Sequence, residues 1–195
     1  MLDIHTHILP GMDDGSKSRG QSLRMLEAEQ RQGVGNVVLS SHFYPDRESP
    51  EHFLKRRAKS LAALEAACAG RNLPRRIPGA EVAYFSGMSR VEVLDALCIG
   101  DTRAMLIEMP FCRWNRGVMD DIYFLMRQRG IQPIIAHVER YMRYQPSGTI
   151  SQMREDGVWI QVNAPFFLNW RTSISAMGMM KRHEIDFTWF CHYKH

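Results

Sequence analysis

The N-terminal segment LDIHTHILPGMDDGS, residues 2–16, contains residue types that can bind a divalent metal ion. His5 and His7 are two residues apart on a predicted strand, so their side chains lie on the same face. A His-x-His pair alone is a weak signal, because one such pair can arise by chance in a chain with eight histidines. A metal site therefore requires further ligands from other parts of the chain.

Further histidines and glutamates follow apolar, β-branched runs, and these residues are His42, Glu81, Glu108 and His137. Because ligands and catalytic groups gather at the C-terminal ends of parallel strands, we expect these four residues and the His5–His7 pair to meet on one rim. Each residue alone also has an ordinary explanation, since a histidine after a strand is often a core residue and a carboxylate there is often a helix N-cap. An unpaired buried charge at Glu81 or Glu108 is costly, however, and a metal ion removes that cost. Mixed imidazole and carboxylate ligands favour Mn, Fe or Zn over Ca or Mg.

The elements that must position these residues alternate between strand and helix along the chain. The predicted strands cover residues 3–7, 34–40, 77–82, 105–107, 131–136, 158–162 and 185–190. Apolar residues recur at helical spacing in the segments 54–68 and 119–126. The glycines predicted to end helices are Gly33, Gly70, Gly130 and Gly157. Alternating βα units predict an α/β fold with a mainly parallel sheet, and we expect a single domain over residues 1–195.

Composition and charge exclude several classes of protein. With 195 residues, of which 45% are hydrophobic, the chain can bury one sizeable core. The net charge is only +4 and there is no dense block of lysine and arginine, so we expect no nucleic-acid partner. No run approaches the ~18 apolar residues of a membrane span, and no signal peptide begins the chain. We therefore expect a cytoplasmic protein that does not insert into membranes.

The four cysteines are scattered without CxxC spacing, which is typical of reduced thiols in a cytosolic protein. A cysteine-dependent phosphatase needs an arginine six positions after its nucleophilic cysteine. The residues six positions after Cys68, Cys98 and Cys112 are a proline, an alanine and a valine. The sequence therefore excludes that class of enzyme.

Five segments carry a family resemblance: DIHTHILPGMDDGSKS, SSHFYP, GAEVAY, LIEMP and AHVERY. They resemble the PHP (polymerase and histidinol phosphatase) superfamily, and more narrowly the manganese-dependent tyrosine phosphatases of capsule and exopolysaccharide operons, the CpsB/YwqE type. The resemblance extends from residue 1 to about Phe187. It implies a distorted, TIM-like (β/α)7 PHP barrel with a trinuclear metal centre, and Mn²⁺ as the cofactor.

The resemblance also implies roles for individual residues. The implied metal ligands are His5, His7, His42, Glu81, Glu108 and His137. Asp14 would lie beside the metal ions as a catalytic residue. Arg140 would bind the substrate phosphate, which its planar guanidinium group matches. The implied substrate and partner is a bacterial tyrosine autokinase, through its phosphotyrosine tail, in capsule or exopolysaccharide biosynthesis.

The C-terminal segment departs from the family pattern. Relatives continue past the last strand with a Gly-Ser-Asp-Ala-His-like segment that completes the metal site, whereas here residues 185–187 are followed by TWFCHYKH. We therefore expect a barrel that is incomplete at its C-terminus and a phosphatase activity that is reduced or lost. Cys191 or His192 could stand in as a ligand. The histidines that we interpret as surface residues are His52, His183 and His195.

Three functions stay open on the sequence alone. The first is a metal-dependent phosphotyrosine-protein phosphatase. The second is a PHP-type hydrolase of a small phosphate ester. Rates of hydrolysis of phosphotyrosine peptides and of alkyl phosphates would distinguish these two functions. The third is a non-catalytic, metal-poor remnant, which metal analysis of the purified chain would identify.

Overall fold

The computed structural model describes residues 1–163, 166, 178–179, 181 and 185–189. They form two compact units. The first contains Met1–Ala83 and Glu92–Met105, and the second contains Tyr84–Val91 and the described residues from Leu106 onward. The single domain over residues 1–195 stays a prediction.

The first unit contains five parallel-paired strands and two long helices. The strands are β1 (Leu2–Thr6), β2 (Asn36–Leu39), β3 (His42–Phe43), β4 (Arg75–Pro78) and β5 (Glu81–Ala83), and the helices are α1 (Arg19–Arg31) and α2 (Pro50–Cys68). One sheet has the order β1-β2-β4, and all its pairs are parallel. β3 pairs in parallel with β5. A short 3-10 helix, Glu92–Leu97, completes this unit.

Local sequence signals explain the two long helices. α1 begins after Ser18 and α2 after Ser49, and each serine hydroxyl accepts a hydrogen bond from a backbone N–H in the first turn. Pro50 occupies the start of α2, where its fixed φ suits a helix. α2 buries Phe53, Leu64 and Cys68 on one face, in agreement with the helical spacing predicted for residues 54–68.

In the second unit, the strands have the same order in the sheet as in the sequence. Its elements are β6 (Ala104–Glu108, of which the last three residues belong here), α3 (Arg116–Arg127), β7 (Gln132–Ile135), α4 (Thr149–Glu155), β8 (Trp159–Asn163) and β9 (Phe187–Trp189). The order is β6-β7-β8-β9, with β7–β8 and β8–β9 parallel. Three 3-10 helices are Met88–Arg90, Val138–Arg140 and Met142–Tyr144.

The α/β class with parallel sheets is confirmed. α3 confirms the helix predicted around residues 119–126, and the four predicted helix-ending glycines all have positive φ. Phe190, the last residue of the predicted strand 185–190, lies outside the described residues. Within the described residues, no helix has the length and hydrophobicity of a membrane span.

The single strand predicted over residues 77–82 is wrong, because the chain forms two strands, β4 and β5, with different partners. Gly79 lies between them, and a Cβ atom there would be only 2.8 Å from Cγ1 of Val38. The Gly79 carbonyl accepts a hydrogen bond from Nη1 of Arg57 (2.9 Å) instead of continuing a ladder. Glu81 and His42 therefore begin the short strands β5 and β3, whereas the sequence predicted each of them at the C-terminal end of a strand.

Candidate metal centre

Three imidazole rings of the first unit converge on one carboxylate oxygen, Oε2 of Glu81. The distances to this oxygen are 3.0 Å from His5 Nε2, 3.3 Å from His7 Nε2 and 3.1 Å from His42 Nδ1. The Nε2 atoms of His5 and His7 are 3.3 Å apart. Glu81 and His5 are buried, and His7 and His42 are slightly exposed. The structure therefore brings together four of the six residues that the sequence singled out as ligands.

Two features of the backbone produce this convergence. His5 and His7 alternate with Thr6 at the end of β1, so their rings point to the same side. His42 and Glu81 are direct partners in the parallel register of β3 and β5. Since both of those strands are very short, they serve mainly to place these two side chains beside each other.

Asp13 is a further candidate site residue, which the sequence alone did not indicate. Its buried carboxylate accepts hydrogen bonds from His7 Nδ1 (2.7 Å), from the backbone N–H of His42 (2.9 Å) and from the backbone N–H of Gly15 (3.0 Å). Burial alone would raise the pKa of Asp13, but these hydrogen bonds outweigh it and lower the pKa to about 2. The bond to Nδ1 leaves Nε2 of His7 directed at Glu81. The signal in the sequence was the Asp-Asp-Gly turn, in which an aspartate bonds to the backbone two residues on.

The charge balance of the cluster favours a cation. Burial opposes protonation of His7, but hydrogen bonds with Asp13 and Glu81 outweigh it and raise the pKa of His7 to about 10. Two buried carboxylates thus stabilise positive charge at the place where the imidazole nitrogens meet. Combined imidazole and carboxylate donors within this spacing fit a divalent transition-metal ion.

Asp14, the residue next to Asp13, has a very different environment. Its side chain is 85% exposed, and Oδ1 lies 3.8 Å from Nε2 of His42. With His7 and His42 it forms a second group of atoms close enough to hold a metal ion. An exposed carboxylate at this place can meet a substrate as well as a cation.

The remaining predicted ligands, Glu108 and His137, belong to the second unit. Glu108 is the last residue of β6, and its Oε1 is 3.8 Å from Nε2 of the buried His137. His137 has a φ of 35°, an uncommon backbone conformation for a residue with a side chain. Its N–H donates to Oε1 of Gln161 (2.6 Å), and its Nδ1 is 3.0 Å from the Tyr141 hydroxyl. These two contacts hold the imidazole ring of His137 in one orientation.

Arg140, the predicted phosphate-binding residue, ends the 3-10 helix Val138–Arg140 and is half-buried. Its backbone N–H donates to the carbonyl of His137 (3.0 Å). Among the described residues its guanidinium group forms no close ion pair with a carboxylate, although its charge partly offsets the effect of burial, which raises the pKa of the neighbouring Glu139. His52 is exposed, as expected, whereas Cys191, His192, His183 and His195 lie outside the described residues.

A cavity of about 600 Å³ opens beside the histidine cluster, entirely within the first unit. The residues that line it are Met12, Asp13, Asp14, His42, Tyr44, Arg47, Glu48, His52 and Arg56. Its volume lies within the usual range of small-molecule sites, about 300–1,000 Å³.

Comparison with known proteins agrees with this arrangement. The family model described as "Capsular polysaccharide synthesis, CpsB/CapC" matches residues 1–187. The chain belongs to the CpsB/CapC family. This finding confirms the resemblance that the five sequence segments indicated.

Relatives within the CpsB/CapC family carry the name tyrosine-protein phosphatase. YwqE of Bacillus subtilis is 30% identical over 150 residues, which is 72% of this chain and 55% of YwqE. CpsB of Streptococcus pneumoniae is 31% identical over 175 residues, which is 84% of this chain and 68% of CpsB. The chain thus spans about half the length of YwqE and about two thirds of CpsB.

A solved structure from a study of those two proteins, described as unique metal-dependent tyrosine phosphatases, is similar to this chain with a TM-score of 0.80. The sequence identity is 25%, and the match covers 97% of this chain and 78% of the other.

Proposed function

We propose that this chain is a metal-dependent phosphotyrosine-protein phosphatase. The observation that carries the proposal is the convergence of His5, His7 and His42 on a buried oxygen of Glu81. This donor set suits a divalent metal ion, and the CpsB/CapC relatives are named as tyrosine-protein phosphatases. The proposed substrate is the phosphotyrosine tail of a bacterial tyrosine autokinase in capsule or exopolysaccharide synthesis.

The proposed metal is Mn²⁺, with Fe and Zn as the alternatives that elemental analysis distinguishes. The proposed ligands are the residues that the sequence singled out: His5, His7, His42, Glu81, Glu108 and His137. The proposal includes the (β/α)7 barrel of the PHP type and a cytoplasmic location.

The chain's own residues have distinct tasks in this proposal. When bound, divalent cations polarise phosphoryl oxygens and lower the pKa of water. Asp13 holds the ring of His7 in one orientation through its Nδ1 atom. Arg140 binds the non-bridging phosphate oxygens with its planar guanidinium group. Asp14 moves a proton at the phenolic oxygen of the leaving group, which needs little help because a phenol has a pKa of about 10.

The test uses the full chain, loaded with Mn²⁺ after removal of other metals. We expect hydrolysis of phosphotyrosine peptides, loss of that activity with a chelator, and loss of bound Mn²⁺ in a His5→Ala/His7→Ala variant. Faster hydrolysis of alkyl phosphates than of phosphotyrosine peptides would instead assign the chain to small phosphate esters. Unchanged metal content in the double variant would contradict the proposed ligands.

A further inference from the structure

The cavity of the first unit extends well beyond the histidine cluster. Asp13, Asp14 and His42 form one part of its wall, and a separate set of residues from 44 to 56 forms the rest. A phosphate group alone would fill only a small part of a volume of about 600 Å³. The cavity therefore has room for more of a substrate than its phosphate.

Tyr44 connects the cluster to this second part of the wall. Its ring stacks on the ring of His42, with centroids 4.9 Å apart and planes at 23°. The Arg47 guanidinium lies 4.3 Å from the centroid of the Tyr44 ring, and the Arg47 N–H donates to the Tyr44 carbonyl (3.0 Å). Arg47 is thus held at a defined place along the cavity wall, while its side chain remains exposed.

The other arginine of this wall, Arg56, already has a carboxylate partner. Glu48 accepts hydrogen bonds from Arg56 Nη1 (2.5 Å) and from His52 Nδ1 (2.8 Å). Arg56 also donates from Nη2 to the Met12 carbonyl (2.7 Å). Arg47, by contrast, has no carboxylate partner anywhere in the described part of the chain. Arg47 is therefore the arginine of this wall that can still pair with a carboxylate of a bound substrate.

We propose that Arg47, supported by Tyr44, binds an acidic side chain next to the phosphotyrosine in the substrate protein, and so selects acidic phosphotyrosine segments. This inference rests on the proposed phosphatase function. A charge at the rim of a binding site acts mainly on selectivity and encounter rate, and a solvent-exposed ion pair contributes up to about 1 kcal/mol. We therefore expect a preference of about five-fold for an acidic over a neutral segment.

The experiment uses three phosphotyrosine peptides that differ only in flanking charge: acidic, neutral and basic. Each is also made with a non-hydrolysable phosphonate in place of the phosphate, so that binding to the Mn²⁺-loaded full chain is measured by fluorescence anisotropy without turnover. The variants are Arg47→Ala and Arg47→Glu. The matched control is Arg127→Ala, because Arg127 is also an exposed arginine over a tyrosine ring, that of Tyr123, at 5.0 Å.

We expect the wild-type chain and Arg127→Ala to bind the acidic phosphonate peptide about five-fold more tightly than the neutral one. In Arg47→Ala this ratio should fall to about one, and Arg47→Glu should prefer the basic peptide. With the hydrolysable peptides, substitution of Arg47 should change KM rather than kcat. If the Arg47 variants showed an equally large change in KM for p-nitrophenyl phosphate, Arg47 would bind the phosphate itself, and the inference would be overturned.

The two proposals fail separately. Discrimination between phosphonate peptides without hydrolysis of any phosphotyrosine peptide would refute the phosphatase and leave the role of Arg47 intact. Hydrolysis without any charge preference would refute the role of Arg47 alone. A wild-type chain that binds none of the phosphonate peptides would also refute it.

Discussion

Asp13 and Asp14 are neighbours in the sequence, but their side chains serve different purposes. The Asp13 side chain is only 5% exposed and bonds to His7 and to the backbone of His42, whereas the Asp14 side chain is 85% exposed. The first residue therefore positions proposed metal ligands, and the second faces the cavity. Side chains that hold a metal-binding histidine from behind often matter nearly as much as the ligands themselves.

Asp13→Asn should weaken Mn²⁺ binding by about 10- to 100-fold. One carboxylate oxygen faces two N–H donors and the other faces a third, so an amide NH₂ group in place of either oxygen would meet a donor. Calorimetric titration with Mn²⁺ measures the effect. Asp101→Asn is the control, because it removes an exposed charge of the same unit that belongs neither to the histidine cluster nor to the cavity wall. Equal affinities for Asp13→Asn and the wild-type chain would refute the positioning role.

Arg140→Ala should raise KM or lower kcat/KM for phosphotyrosine peptides while the Mn²⁺ content stays unchanged. An arginine has no lone pair available for a metal ion, and this one forms no close ion pair with a carboxylate among the described residues. Steady-state kinetics together with elemental analysis check both parts. Arg140→Lys keeps the charge but loses the planar fork, so it should recover only part of the activity. Wild-type kinetics in Arg140→Ala would indicate a surface residue without a role in binding.

Residue types and spacing predicted that several of these residues belong to the site, but they did not predict this of Asp13. If this segment forms a strand, the two-residue spacing of His5 and His7 places both side chains on the same face. No such periodicity distinguishes Asp13 from Asp14, because both lie on one turn. Which of the two is buried depends on His7 and on the backbone of His42, a residue 29 positions away.

At the scale of elements, the break between β4 and β5 has a tertiary cause. The apolar residues Ile77, Ala80 and Val82 led to the prediction of one strand over residues 77–82. The chain breaks there because Gly79 packs against Val38 of β2 and its carbonyl bonds to Arg57 of α2. Hydrophobic periodicity also cannot predict a two-residue strand such as β3, because two residues cannot establish a pattern.

Gly15 supports the cluster by allowing the loop after β1 to fold back on His7. A Cβ atom at Gly15 would lie 2.3 Å from the Cβ atom and from the carbonyl oxygen of His7. We therefore expect Gly15→Ala to displace His7, to lower Mn²⁺ affinity and to lower the thermal midpoint of unfolding. Calorimetric titration and scanning calorimetry measure these two effects.

Gly11→Ala provides the matched control in the same loop. Gly11 has a φ of 69°, but an added Cβ atom would meet nothing within 4 Å. The substitution should therefore cost only backbone strain, about 1 kcal/mol, and leave Mn²⁺ affinity near the wild-type value. If Gly11→Ala and Gly15→Ala lower Mn²⁺ affinity equally, the close contact with His7 is not the cause.

At the scale of the whole molecule, the alternation of strands and helices was sufficient to predict the α/β class. Six of the seven predicted strands overlap one observed strand each, and the seventh, residues 77–82, overlaps two. Their parallel pairing follows from the helices between them, since parallel strands need a long crossover connection. Composition and pattern could not predict which side chains meet in each compact unit, because that depends on strand register.

Metal binding should link the stability of the chain to pH. In the metal-free state the raised pKa of His7, about 10, favours a protonated ring. That contribution is fully present below the unfolded pKa of about 6.5, and it is lost as the pH rises from there through 10. A metal ion needs neutral imidazoles, so its affinity changes in the opposite direction and rises with pH.

Mn²⁺ should therefore stabilise the chain more at pH 7.5 than at pH 5.5. A ligand that binds only the folded state adds about 2.7 kcal/mol to the free energy of unfolding at a hundred times its Kd. At the lower pH, stronger proton competition at His7, whose pKa is raised to about 10, increases the apparent Kd and reduces this gain. Scanning calorimetry with Mn²⁺ or with a chelator, at both pH values, gives the difference directly. The His5→Ala/His7→Ala variant should show no Mn²⁺-dependent shift at either pH. A wild-type midpoint that Mn²⁺ leaves unchanged at pH 7.5 would mean that the three histidines around Glu81 hold no metal ion.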